Sequence, residues 1–185
     1  MEAFLISTGV VALGEIGDKT QLLAFMLAAR FKRPWPICAA ILVATLLNHG
    51  LAGAVGAWIT TMVSPQVLRW ILGVGFIAMA AWTLVPDKID DEEIKARGTL
   101  GVFGITLVSF FLAEMGDKTQ IATVALAARF HDIIPVVAGT TLGMLIADVP
   151  AVWIGERMAG RLPVRLVHGV AAAVFLVLGV LTLIL

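Results

Sequence analysis

Six long apolar runs dominate the chain, at about 3–29, 36–60, 66–85, 100–128, 133–155 and 164–185. Each has the roughly 20 residues that a helix needs to cross the ~30 Å hydrocarbon layer of a bilayer. Lipid offers no hydrogen-bond partners, so a run of this length must satisfy its own backbone, and a helix does so. The runs show no alternation of period two and exceed the ~10-residue strands of a membrane barrel. The 60% hydrophobic and 14% charged residues among 185 agree, since a soluble domain carries about 25% charged residues. The expected fold class is all-α: a polytopic membrane protein with six transmembrane helices. The opening MEAFLISTGV has neither a basic segment nor a small-residue cleavage site, so the first helix is expected to be retained. Cys38 is the single cysteine, which excludes an intramolecular disulfide, and it is expected to pack as a small apolar residue.

The chain repeats itself at an offset of 99 residues without gaps. Between Glu15 and Pro36, 12 of 22 positions are identical to Glu114 through Pro135, and Phe76 and Thr83 return as Phe175 and Thr182. Residues 1–86 map onto 100–185, leaving 87–99 as a charged linker. Each half holds three spans, an odd number, so the second half must enter the membrane from the opposite side. Inverted repeats of this kind characterise many secondary transporters, whose substrate sites lie near the midplane between the repeats.

The best-matched segment of the repeat is also the most polar. GEIGDKTQLL at 14–23 lies inside the first apolar run and AEMGDKTQIA at 113–122 inside the fourth. Glu15 is about 18 Å of helical rise from Ala3, near the middle of the bilayer. Each charge at that depth costs at least ~2.5 kcal/mol on insertion scales. On a continuous helix Glu15, Asp18 and Lys19 share one face. The glycines around the glutamate allow either close helix approach or local unwinding. An inverted arrangement brings Glu15 and Asp18 opposite Glu114 and Asp117, with Gln21 and Gln120 nearby. Such an oxygen-only donor set suits a hard divalent cation such as Mn²⁺ or Ca²⁺. Four carboxylates with Lys19 and Lys118 leave a net charge of minus two, which one divalent ion neutralises. Protons can do the same, because burial and crowding favour protonated carboxylates. Metal and proton then compete for the same oxygens, as exchange requires. His49 and Asp148 occupy matching positions in the second and fifth spans and are candidate proton-relay groups. Glu156 is expected to be solvated.

Nine Lys and Arg residues fall in the loops after the first, third and fifth spans, against Arg69 and Arg129 on the other side. The bias places both termini outside and the linker in the cytoplasm. Trp35, Trp58, Trp70, Trp82 and Trp153 fall near span ends, as in an aromatic belt.

Two copies of Glu-x-Gly-Asp-Lys-Thr, one per three-span half, resemble the cation/proton exchanger family. That family includes Golgi calcium/manganese antiporters, chloroplast manganese transporters and bacterial MneA-type manganese exporters. The likeness covers essentially the whole chain. It implies metal ligation by Glu15, Asp18, Glu114 and Asp117, supported by Lys19, Thr20, Lys118 and Thr119. It also implies a prokaryotic plasma-membrane protein that exports Mn²⁺, with Ca²⁺ the alternative, in exchange for protons. No enzymatic role, resident cofactor or nucleic-acid partner is expected. An intramembrane aspartyl hydrolase is disfavoured, since the chain has no tyrosine for a Tyr-Asp partner motif. An amino-acid exporter or a channel would differ in ignoring the metal or in showing no obligatory proton movement.

Overall fold

The computed structural model describes residues 1–85, 101–154 and 164–184. The linker at 87–99 and the loop residues Glu156, Arg157 and Arg161 lie outside them. Eight α-helices are present among the described residues: α1 Glu2–Glu15, α2 Lys19–Phe31, α3 Pro34–Met62, α4 Pro65–Thr83, α5 Val102–Glu114, α6 Lys118–Phe130, α7 Ile133–Ile154 and α8 Val164–Ile184. The all-α class therefore holds. By length and composition α3, α4 and the Ile133–Trp153 part of α7 can each cross a membrane unaided.

The expectation of one continuous helix over 3–29, and of another over 100–128, is corrected. Each run is two helices, broken inside the charged motif. Gly17 has φ +87° and Gly116 φ +76°, a left-handed conformation that glycine adopts without the Cβ clash of other residues. Ile16 before Gly17 has φ −64° and ψ 114°, and Met115 before Gly116 has φ −63° and ψ 117°. The Asp18 amide returns to the Glu15 carbonyl at 3.0 Å and the Asp117 amide to the Glu114 carbonyl at 3.1 Å. These are type II turns, which need positive φ at the third residue. Glycine's conformational freedom is what the break uses, and the shared face drawn for Glu15, Asp18 and Lys19 on an unbroken helix does not exist.

Packing is reciprocal between the repeats. Helix α1 lies on α7 and its counterpart α5 on α3; α2 meets α7, and α6 meets α3. The α1–α7 contact is close because Gly139 and Gly143 face backbone: a Cβ on either would come within 2.5 Å and 2.6 Å of the Phe4 and Thr8 carbonyl oxygens. Helices α4 and α8 pair with each other, and the matched residues Phe76 and Phe175 stack with ring centroids 6.4 Å apart. The five tryptophans are exposed on the outside of the bundle, and Trp35 meets Trp153 edge to face at 5.3 Å. Large aliphatic side chains such as Leu46, Leu47, Leu51, Val74 and Val177 also point outward, as a lipid-facing surface requires.

Candidate cation site between two helix breaks

Each break ends one helix and starts the next within three residues, so free backbone groups and charged side chains collect in the protein interior. Asp18 is the N-cap of α2 and Asp117 that of α6. Asp117 accepts the Thr119 amide at 3.3 Å through Oδ2. Three residues into each new helix a glutamine turns back. Gln21 accepts the Gly17 amide at 2.9 Å and Gln120 the Gly116 amide at 2.7 Å, in the manner of a capping box. The amide nitrogens of the same glutamines reach across to the other repeat. Gln21 donates to the Ala147 carbonyl at 2.9 Å, while Gln120 donates to the Asn48 side-chain oxygen at 3.4 Å. Asn48 and Ala147 are matched positions, so the repeats make the same tie with different groups. Asn48 in turn donates to the Phe111 carbonyl.

The glutamates close each first helix and are wholly buried. Thr20 donates to Glu15 Oε2 at 2.5 Å and Thr119 to Glu114 Oε2 at 3.1 Å. The Oε1 atoms of both glutamates have no hydrogen-bond partner among the described residues. Glu15, Glu114 and Asp117 each offer one oxygen, and these oxygens all lie within 4.8 Å of one another. The two lysines cross between repeats: Lys118 Nζ lies 3.1 Å from Asp18 Oδ1, and Lys19 Nζ lies 3.5 Å from Asp117 Oδ1. The structure thus gathers three of the four acidic motif residues and holds an oxygen of the fourth, Asp18, on Lys118.

Asp148 on α7 is fully buried, with both carboxylate oxygens unpartnered among the described residues. His49, its counterpart on α3, is buried, and neither of its ring nitrogens has a hydrogen-bond partner among the described residues. The capping role of the glutamines was not anticipated, although a Gln three residues after an Asp N-cap is a recognised helix-start signature. Thr45 and Thr141, whose buried hydroxyls have no partner among the described residues, carried no signal at all.

Two matched, carboxylate-bearing helix breaks meeting inside an apolar helical bundle have the architecture of a membrane transporter with a candidate cation site in its interior. The particular family follows from comparison with known proteins. The model of the divalent cation/proton antiporter family GDT1 matches residues 3–91 and 102–185, and the chain belongs to that family. A Vibrio cholerae protein named "Putative manganese exporter" is 49% identical over 183 residues, covering 98% of this chain and 90% of that protein. A GDT1-like protein of Synechocystis is 30% identical over 200 residues, covering 98% and 97%. GDT1-like protein 4 of Oryza sativa is 29% identical over 199 residues, covering 95% of this chain and 70% of that protein. No solved structure matches the chain significantly.

Proposed function

We propose that this chain exports a divalent cation, Mn²⁺ foremost and Ca²⁺ as the alternative, in exchange for protons by alternating access. The observation that carries the reading is the convergence of buried Glu15, Glu114 and Asp117 oxygens from both motifs within 4.8 Å. Three like charges at that spacing, shielded from water, require a counter-charge. A divalent cation supplies it with the hard oxygen coordination that Mn²⁺ and Ca²⁺ accept. In the cation's absence protons supply it, and the two cannot both be held. The choice of Mn²⁺ leans on the name of the Vibrio relative. Asp18 is assigned as the fourth ligand, available when the Lys118 contact loosens, with Thr20 and Thr119 orienting the glutamates. Lys19 and Lys118 limit the net charge, and Gln21 and Gln120 hold the turns open. Asp148 and His49 are assigned to proton relay.

The architecture proposed is six spans in two inverted repeats, 1–86 and 100–185, joined by the linker 87–99. Both broken helices count as single spans. The excess of Lys and Arg in one set of loops supports termini outside and the linker in the cytoplasm of a prokaryotic plasma membrane. The repeat supports alternating access, because two similar halves can exchange conformations about a fixed site. The test is Mn²⁺ movement in proteoliposomes with a pH gradient. Glu15→Gln and Asp117→Asn should each abolish it while the protein still inserts and folds; full transport by either variant would sink the site assignment.

A further inference from the structure

A second polar feature lies away from the carboxylates. A cavity of about 260 Å³ sits where α3 passes into α4, beside the end of α6 and the last turns of α8, lined among others by Thr60, Arg69, Leu72, Arg129, His131 and Thr182. Arg69 and Arg129 come from different repeats and are the two basic side chains that the sequence places on the charge-poor side. Both line the same cavity. Neither forms an ion pair with a carboxylate among the described residues. Arg129 is held in place: its guanidinium donates to the Thr182 hydroxyl, which donates to the Leu178 carbonyl at 2.7 Å, and it lies 6.0 Å from the centroid of the Phe130 ring. The Nε of Arg69 is buried and has no hydrogen-bond partner among the described residues.

We infer that this cavity binds a phosphate-bearing anion, either a lipid headgroup or free phosphate. Two arginines that line one space, neither paired with a carboxylate among the described residues, leave positive charge there that an anion would neutralise. The guanidinium fork matches phosphate oxygens in a bidentate manner. The depth suits a headgroup. The cavity lies at helix ends, and Trp70, next to Arg69, and Trp58, near the end of α3, are both exposed at that level, where aromatic belts mark the membrane interface. Apolar lining from Val63, Pro65 and Leu72 gives the same space a wall that acyl or glycerol carbons can contact.

The test uses the full chain in nanodiscs of phosphatidylcholine, with and without phosphatidylglycerol, read by native mass spectrometry and thermal melting. A parallel titration adds inorganic phosphate to the phosphatidylcholine sample. Retention of phosphatidylglycerol identifies the headgroup, and protection by phosphate identifies the free anion. In whichever arm binds, Arg69→Gln and Arg129→Gln should weaken binding by about ten-fold, the equivalent of losing one charge-assisted pair. Arg33→Gln, an exposed arginine elsewhere on the chain, should leave it unchanged. Because Arg129 also anchors α8 through Thr182, Arg69→Lys serves as a milder probe; it keeps the charge, loses the fork and should bind between parent and Arg69→Gln. Binding by both Arg69 variants equal to the parent, or no binding in either arm, overturns the inference.

Discussion

Glu114→Gln should stabilise the metal-free protein at alkaline pH and at the same time remove its response to Mn²⁺. Oxygens of Glu15, Glu114 and Asp117 lie within 4.8 Å of one another. At that separation and an effective dielectric of about 20, two unit charges repel by about 3.5 kcal/mol. Lys19 offsets part of the charge on Asp117. Among the described residues Glu15 and Glu114 receive only hydroxyl hydrogen bonds, from Thr20 and Thr119, so their mutual repulsion stands. Glutamine has nearly the same shape as glutamate, and its carbonyl oxygen can still accept from Thr119. The substitution therefore removes charge without opening a cavity. When the carboxylates are ionised the gain is about 3 kcal/mol, taking the Glu15 pair alone. For a chain of this length that raises the melting temperature by roughly 6–12 °C. At acidic pH protons already neutralise the cluster, and the difference should vanish. Mn²⁺ acts in the opposite sense: at about a hundred times its dissociation constant it adds ~2.7 kcal/mol to the parent and little to the variant. The assay is thermal unfolding of purified parent and variant at mildly acidic and mildly alkaline pH, with and without Mn²⁺. A variant that melts at or below the parent in alkaline metal-free buffer, or gains as much from Mn²⁺, would refute the reasoning.

The other consequences concern the groups around the cluster. Lys118→Met leaves Asp18 buried beside an apolar chain and should cost about 3–5 kcal/mol. Lys19→Met should cost less, because the Lys19 side chain is 19% exposed against 4% for Lys118; urea unfolding of the two variants compares them. Gly116→Ala adds a methyl into open space but at φ +76°. It should cost about 1–2 kcal/mol by backbone strain alone and slow transport in vesicles, and an unchanged melting temperature would show that the turn relaxes freely. Asp148→Asn should leave Mn²⁺ binding in place, measured by calorimetry, while uncoupling Mn²⁺ efflux from the pH gradient; efflux that follows the gradient as in the parent would remove Asp148 from the proton path.

Much of this arrangement was readable because the physics of a bilayer is severe. Apolar runs long enough to span had to be helices, and charges at their centres had to face the interior. The 99-residue offset then showed that the two motifs occupy equivalent places. Two things were not readable, for different reasons. The break at Gly17 and Gly116 was hidden because glycine in a membrane helix serves close packing and unwinding equally well. The capping pattern resolves this ambiguity: Asp18 and Asp117 as N-caps, each followed three residues later by a glutamine that takes up a glycine amide, are signs of a helix beginning in the middle of an apolar run. The pairing of the lysines was hidden by the repeat itself. Each copy carries both an acidic and a basic member, so a lysine can close on its own motif or on the other one with the same local sequence. On an unbroken helix the local Glu15–Lys19 pair has the favoured spacing. Once the chain turns at Gly17, Lys19 starts a new helix and closes on Asp117, and Lys118 closes on Asp18 by the same logic. The crossing of charge between repeats is thus a consequence of the break, and it ties each half of the acidic centre to the lysine of the other.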